Sequence, residues 1–378
     1  MSKRILIDAT NVNILQPGGG SYCTRAYLEA FLALYPGKID VLHPAEAHIR
    51  DNRYTTIDVL GRSFMRAAFG IPKGYLHRAA ERIVRTIQQH PDTYDTLVIS
   101  TGLYAGGVLA QIKQYPIRTI ILHHNFEPEY RMDSASILTL RGRTDRFVRY
   151  WERKGYLQAS INLFLTQYDL ELFEKEYGPH PHNYVIGIFE PTSERQQVDE
   201  KVSTNSAVIT CALSDIQNQA PLLRFEQTYL PVFREVLPKW HIELMGRQPS
   251  EKIREMAKRQ PCLHLTPDPE DIQSLAARSK IYLCPMDGGG GLKLRIMDGL
   301  RNGQPILAHQ RAARGYDALT KEPFFYVYSD EESFRTQLKQ AIQYIQSDAC
   351  SRRAIQDKYY NLFGLSTGIE RLKAIICK

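Results

Sequence analysis

Four consecutive glycines, Gly288, Gly289, Gly290 and Gly291, are followed at once by Leu292, Lys293, Arg295 and Asp298. The apolar run from Ile281 to Cys284 predicts a buried strand ahead of the glycines. An amphipathic segment carrying Lys293, Arg295 and Asp298 follows, and Gly303 with Pro305 ends it before a second apolar run, Ile306 to Ala308. Strand, side-chain-free turn, basic helix, strand: this order presents backbone N–H groups and cations to a phosphate. No Gly-Lys-Ser/Thr stands at P-loop spacing, and Leu292 to Met297 offers no third glycine for a dinucleotide fingerprint. The chemistry expected is binding of a phosphate-bearing ligand that is neither a P-loop nucleotide nor a nicotinamide.

Two further clusters could carry chemistry. In Pro17-Gly18-Gly19-Gly20-Ser21 the glycines permit close backbone approach, and Ser21 is placed to cap a helix whose first N–H groups favour a polar or anionic ligand. A merely flexible turn is the competing reading. In His123-His124-Asn125-Phe126-Glu127-Pro128-Glu129, imidazole, amide and carboxylate stand together at the end of an expected strand, suited to sugar hydroxyls. Adjacent histidines on a strand point to opposite sides, which disfavours chelation of one ion and leaves His123 as the packing member. No metal site is expected.

These clusters need elements to hold them, and the apolar runs alternate with amphipathic stretches as in a parallel sheet covered on both faces. Expected strands are Ile5–Ala9, Leu97–Ser100, Thr119–His123, Ile161–Thr166 and Val185–Ile188, with a helix from about Ser21 burying Tyr27, Leu28, Phe31 and Leu32. The polar stretch 190–206 reads as a linker. A second series follows: Val208–Cys211, His241–Met245, Cys262–Leu265, Ile281–Cys284, Ile306–Ala308 and Phe324–Tyr328. Two doubly wound α/β halves are expected, residues 1–195 and 205–350, with a helical end over 351–378. A length of 378 residues suits two cores, and 43% hydrophobic with 24% charged residues excludes general disorder. Six cysteines without a Cys-x-x-Cys pair fit free thiols in a reducing cytoplasm. Neither a membrane-spanning run nor a signal peptide is expected. A net charge of +7 suits diphosphates or anionic surfaces but is too small to indicate nucleic acid.

The 284–309 block resembles the donor-site signature of retaining GT-B glycosyltransferases of the large "group 1" family, through Pro285, Gly288 to Gly290, Lys293, Arg295, Asp298, Gly303, Pro305 and Ile306. The resemblance implies a GT-B fold, two Rossmann-like domains facing a central cleft, with the first on the acceptor side and the second binding a sugar nucleotide. It implies that Lys293 neutralises the diphosphate, that Asp298 receives the ribose hydroxyls, and that Gly19 and Gly20 border the donor phosphate. His124, Asn125 and Glu127 match the family's His-Asn-x-Glu motif. Weaker echoes follow in the family's order: Ala212 to Asn218, Gly246-Arg247-Gln248-Pro249, Ala313 to Tyr316 and Thr166 to Asp169. The paired glutamates of many relatives are replaced here by Gly290 and Asp298. By analogy, the C-terminal helix crosses back to the first domain.

The reading is then a cytoplasmic enzyme moving a sugar from a nucleoside diphosphate to a glycan or lipid-linked acceptor, as in bacterial surface polysaccharide synthesis. His124, Lys293 and Arg295 would be catalytic, with Asn218, Arg247 and the loop Gly288–Leu292 at the donor. Retention of the anomer is implied by the family. No Asp-x-Asp occurs, so cations and N–H groups rather than a metal would carry the leaving charge, and no cofactor is expected. A sugar-nucleotide epimerase or hydrolase, or a non-catalytic subunit of the same fold, remains open. Arg62, Arg66, Lys73, Arg78, Arg82 and Arg85 among aromatics, and Arg141 to Tyr156, could be solvated helix faces, meet an anionic membrane or, last in order, bind nucleic acid.

Overall fold

The computed structural model describes residues 3–10, 12–16, 18–59, 78–132, 140–202, 204–288 and 290–377. It divides into two compact units, Met1–Ser193 with Phe363–Lys378, and Glu194–Leu362. In the first unit the strands are β1 (Arg4–Asp8), β2 (Ile39–Pro44), β3 (Thr55–Val59), β4 (Tyr94–Ile99), β5 (Arg118–His123), β6 (Ile161–Phe164) and β7 (Asn183–Val185). They form one parallel sheet ordered β3-β2-β1-β4-β5-β6-β7. The second unit carries β8 (Ser206–Thr210), β9 (His241–Gly246), β10 (Leu263–Pro267), β11 (Ile281–Cys284), β12 (Ile306–His309) and β13 (Phe325–Tyr328). Its parallel sheet runs β10-β9-β8-β11-β12-β13.

Parallel strands buried on both faces read as continuous apolar runs, and Leu6, Leu97, Val98, Ile121, Val208, Ile281 and Leu307 are all within 1% of complete burial. Two strands, β2 and β3, are additions to the expected set. Asp40 and His43 break the apolar run of β2; both are buried, with Asp40 receiving Arg4 and Tyr94 and His43 bonded to Tyr54 at 3.0 Å. β3 is an edge strand with three of its five residues only partly buried or exposed between exposed Thr55 and buried Val59, so its alternation is weak. Strand β6 ends at Phe164, short of the expected Thr166, because Thr166 instead caps the helix Gln167–Tyr177 by accepting the Asp169 N–H. The expected strand Val185–Ile188 is shifted to Asn183–Val185, and Gly187 at φ 74° takes the chain out of extended geometry.

In each sheet the chain turns from one side to the other once, between β1 and β4 and between β8 and β11. Loops leaving neighbouring strands there diverge above and below the sheet, opening a crevice at the carboxyl ends. In the first unit, the helix Leu140–Gln158 is seated by a backbone-to-backbone contact with the helix Ala105–Ile112. A Cβ on Gly106 would lie 2.2 Å from the Trp151 carbonyl oxygen. The last helix, Leu365–Ile376, packs in the same unit: Gly368 lies against the ring of Phe189, and Arg118 donates to the Ile376 carbonyl at 2.6 Å.

Of the two basic-aromatic stretches, residues 62–77 lie outside the described residues. In 147–156, Trp151 and Tyr156 are buried, Tyr150 is 55% exposed, and Lys154 lies 4.9 Å from the Trp151 ring. Arg149 pairs with Glu176 at 3.5 Å. Two of the aromatic members of this stretch, Trp151 and Tyr156, are therefore core residues, while Phe147 is half-buried and Tyr150 faces outward. No described helix is long and apolar enough to cross a membrane.

Gly106→Ala is expected to cost roughly 1–3 kcal/mol or more, since the obstructing atom is backbone and cannot rotate away. Urea unfolding monitored by circular dichroism measures it; an unchanged midpoint would mean the two helices are not in backbone contact.

Candidate functional site

Strand β11 delivers the glycine loop to the crevice beside β8. Asp287, just before the glycines, is ion-paired with Arg224 from the end of the helix Ile216–Arg224. Gly291 has φ 68°, a left-handed conformation that a side chain would disfavour, and Gly289 lies outside the described residues. The helix expected to carry Lys293 is shorter than its pattern suggests: it spans Arg295–Arg301, and Lys293 sits ahead of it in the loop. The left-handed turn at Gly291 delays the helix, whose opening bond runs from the Ile296 N–H to the Lys293 carbonyl at 3.2 Å. Lys293 Nζ reaches back to the Gly290 carbonyl at 3.2 Å, and its own carbonyl receives the hydroxyl of fully buried Tyr316 at 3.0 Å. The lysine is thus bent back onto the glycine turn, with its backbone pinned by tyrosine, which sets a cation beside the loop.

Arg295 and Arg301 both donate to Asp298, at 3.4 and 2.9 Å, so its carboxylate is spanned by two guanidiniums. A carboxylate offers about four acceptor positions, which leaves room for a ligand hydroxyl. Gly299 presses the helix against the sheet, a Cβ there being 2.6 Å from Tyr282 Cγ. Around the same strand ends, Asn218 Nδ2 donates to the Ala212 carbonyl at 2.9 Å and shapes the loop after β8. Arg247 follows β9 with an exposed side chain, Gly288 is partly buried, and Leu292 is half-buried. Burial pushes the thiols of Cys211 and Cys284 up to about 12, so neither offers a thiolate nucleophile at neutral pH.

In the first unit, Asp8 closes β1, fully buried, and accepts from the Thr10 hydroxyl at 2.6 Å and from the Tyr104 hydroxyl. Burial holds this carboxyl above the usual range. The helix after the glycine loop begins at Gly19, two residues earlier than its apolar pattern implies. Ser21 is therefore buried inside the first turn rather than capping it, and no side chain caps this end. Gly19 is exposed, and Gly20 is close-packed, a Cβ there being 3.1 Å from Val12 Cγ1. Pro17 lies outside the described residues.

His123 is 1% exposed, stacked 4.8 Å from Phe164, with Nε2 2.9 Å from Asn162 Oδ1. His124 is half-buried, yet its Nε2 is shielded from solvent and has no hydrogen-bond partner among the described residues. Burial draws both imidazoles down to about 4, so both are neutral at pH 7. Asn125 donates to Glu127 Oε1 at 3.2 Å.

Acidic residues hold this loop, and one of them, Glu152, was not singled out in the sequence. Glu152 Oε1 receives the Glu127 N–H at 3.3 Å, and Glu152 Oε2 receives the Tyr177 hydroxyl at 2.7 Å. Asp169 accepts the Phe126 N–H at 3.3 Å, and Glu129 accepts the Tyr168 hydroxyl at 2.7 Å. Glu152 is fully buried beside Gly102, and burial with Glu127 nearby pushes its carboxyl well above the usual range. Its sequence signal is its spacing: Val148, Glu152, Tyr156 and Ala159 share one helical stripe, which places a carboxylate among core residues.

The neutral, buried His123 has a consequence for stability. The unfolded chain takes up a proton below about pH 6.5 that the folded chain refuses until about 4. This contribution is complete above pH 6.5 and is lost as pH falls toward 4. Asp8 and Glu152, raised by burial, act in the opposite sense, so the difference from a variant isolates the histidine. His123→Gln is expected to reduce the loss of unfolding free energy between pH 7 and pH 4.5 by about 2 kcal/mol. Urea melts at both pH values read it out; parallel losses in parent and variant would place the proton elsewhere.

No family model matches the sequence, and no curated protein matches it. Solved structures do. HepE of Anabaena in complex with UDP is similar over 99% of both chains, at 13% identity and a TM-score of 0.70. Sucrose-phosphate synthase from Thermosynechococcus elongatus covers 99% of this chain and 98% of its own, at 12% identity and 0.67. WaaG, a glycosyltransferase involved in lipopolysaccharide biosynthesis, covers 99% and 100%, at 14% identity and 0.63. At these identities the likeness is one of fold, and with two parallel sheets of 7 and 6 strands the chain has the two-domain, Rossmann-like α/β architecture of the GT-B glycosyltransferases.

Proposed function

We propose that the chain is a glycosyltransferase that moves a sugar from a nucleoside-diphosphate sugar to a glycan or lipid-linked acceptor, with retention of the anomeric configuration and without a metal or cofactor. The observation that carries the reading is the loop Gly288–Lys293, a glycine turn capped by a lysine at the carboxyl end of β11, on the switch point of its sheet. The donor's diphosphate is assigned to this loop, with Gly288 to Gly291 supplying N–H groups and Lys293 and Arg295 the positive charge. Asp298 is assigned to the ribose, and Asn218, Arg247 and Leu292 to the rest of the donor. HepE is solved with UDP and with UDP-glucose, which makes uridine-diphosphate sugars the first donors to test. WaaG acts in lipopolysaccharide biosynthesis, which supports a lipid-linked glycan as acceptor and work at the inner face of a membrane.

In the reaction, the bond from the sugar's C1 to the β-phosphate oxygen breaks, and the acceptor hydroxyl oxygen forms the new bond to C1. The hydroxyl proton leaves to the departing phosphate or to water, and the growing negative charge stays on the diphosphate. Fixed cations and N–H dipoles at that point stabilise the transition state without reorganising. His124 is neutral, so it acts as a hydrogen-bonding partner of the sugar rather than as a cation. Asn125 and Glu127 extend that polar pocket, on a backbone held by Glu152 and Asp169.

Purified protein is incubated with a panel of sugar nucleotides, with and without glycan acceptors. Donor consumption that requires acceptor supports transfer; consumption without any acceptor indicates a hydrolase or epimerase, and binding without turnover a non-catalytic subunit. The anomer of the product, read by NMR, tests retention. Lys293→Ala should lower turnover about 30- to 1000-fold, the effect of about 2–4 kcal/mol of lost transition-state stabilisation, with the fold unchanged. Near-normal turnover would place the diphosphate elsewhere. His124→Ala should reduce transfer more than donor affinity. If it weakens donor binding alone, measured by calorimetry, the histidine belongs to the donor site and not to the sugar's reacting end.

A further inference from the structure

The second unit carries a constellation that the transfer reaction leaves unused. On β9, His241 and Glu243 are two residues apart and so project from the same face of the sheet. On the neighbouring edge strand β10, His264 is the register partner of Glu243, which brings its side chain to that face as well. His241 Nε2 lies 3.0 Å from Glu243 Oε1, and His264 Nδ1 lies 3.5 Å from the same oxygen. The two imidazole rings stack at 4.4 Å. Among the described residues this is the one group of three or more His, Cys, Asp or Glu side chains whose ligand atoms all fall within 4.8 Å of one another.

We propose that His241, Glu243 and His264 form a binding site for one divalent transition-metal ion of the zinc, nickel or copper kind, clamping the edge strand β10 to β9. Bonds of about 2.0–2.2 Å in tetrahedral arrangement separate neighbouring ligand atoms by about 3.3–3.6 Å. Of the observed separations from Glu243, 3.5 Å lies within that range and 3.0 Å just below it, so small side-chain rotations suffice to admit an ion. Two imidazoles with one carboxylate form a donor set suited to these metals, whereas magnesium and calcium favour oxygen alone. Access is open: His264 is 52% exposed in its side chain, and a groove of about 690 Å³ lined by Trp240, His241, Cys262 and His264 adjoins the cluster. A fourth ligand position is then available to water.

A His–Glu ion pair alone is the simpler account, and it predicts no metal affinity. The position also separates this site from the chemistry. His241 opens β9 and His264 stands near the start of β10, while the glycine loop leaves the carboxyl end of β11 in the same parallel sheet. Strand direction puts the cluster at the opposite end of the sheet from the donor loop. An ion bound there is structural, and its presence is independent of whether transfer needs a metal.

The test uses the full chain without a polyhistidine tag, stripped with EDTA and desalted. Titration with zinc chloride, followed by calorimetry and by elemental analysis after gel filtration, should show one ion per chain and a higher melting temperature. Magnesium chloride should produce neither. Glu243→Gln and His264→Gln should each weaken zinc at least tenfold while leaving the melting temperature in EDTA within a few degrees of the parent. His180→Ala, at a separate histidine pair with His182, should bind zinc as the parent does. Absence of zinc binding overturns the proposal, and so does parent-like zinc affinity in both the Glu243 and His264 variants. Donor turnover is not used as a readout, so failure here leaves the proposed transfer reaction untouched, and the converse also holds.

Discussion

Strands that all run the same way in a sheet must all end on the same edge. Every loop that leaves a carboxyl end then emerges along one line, and only where the winding reverses do adjacent loops part to leave an opening. Both units of this chain obey that constraint, with reversals between β1 and β4 and between β8 and β11. Each reversal receives glycine-rich chain, Gly18 to Gly20 in one unit and Gly288 to Gly291 in the other. Absence of side chains there lets backbone N–H groups face a ligand at contact distance, which neither lysines nor serines could do alone.

Holding such loops still requires polar groups inside the protein, and those carry a desolvation cost unless each finds a partner. The partners are specific. Asp8 is satisfied by Thr10 and Tyr104, Glu152 by the Glu127 N–H and Tyr177, Asp169 by Thr166 and the Phe126 N–H. In the second unit Tyr316 secures the Lys293 carbonyl, and Arg224 secures Asp287. Burial keeps Asp8 and Glu152 toward their neutral forms and His123 and His124 deprotonated. The carboxyl end of the first sheet thus gathers neutral imidazoles beside polar groups, whereas the glycine loop of the second carries Lys293 and Arg295.

Strand polarity also sorts what lies at the other end of the second sheet. The amino-terminal ends of β9 and β10 gather His241, Glu243 and His264, far along the strand direction from the glycine loop. An edge strand has unpaired backbone on one side and gains most from an additional tether. The glycine loop at one end of the sheet and the histidine–glutamate cluster at the other are separated by the same strand geometry.

Strong local patterns were legible from the sequence alone. Ile281–Cys284 as a strand, glycines after it and the two-sheet α/β class all follow from apolar runs and turn residues. Glycine runs and continuous apolar strands are read from nearest neighbours, which is why they survive translation into structure. What failed were features set by distant partners. Strand β2 was hidden because buried Asp40 and His43 look like loop residues until Arg4, Tyr94 and Tyr54 supply their bonds. Lys293 was expected in a helix, and only the left-handed turn at Gly291 sets it ahead of one. Glu152 looked like one more charge in a basic helix, yet the Gly106–Trp151 contact and the partners Glu127 and Tyr177 make it the hidden support of the histidine loop. The sequence by itself determined the continuously apolar strands and where backbone would be bare. Tertiary structure alone decided which charges are buried and neutral, since desolvation and hydrogen bonding depend on groups tens of residues away in the chain.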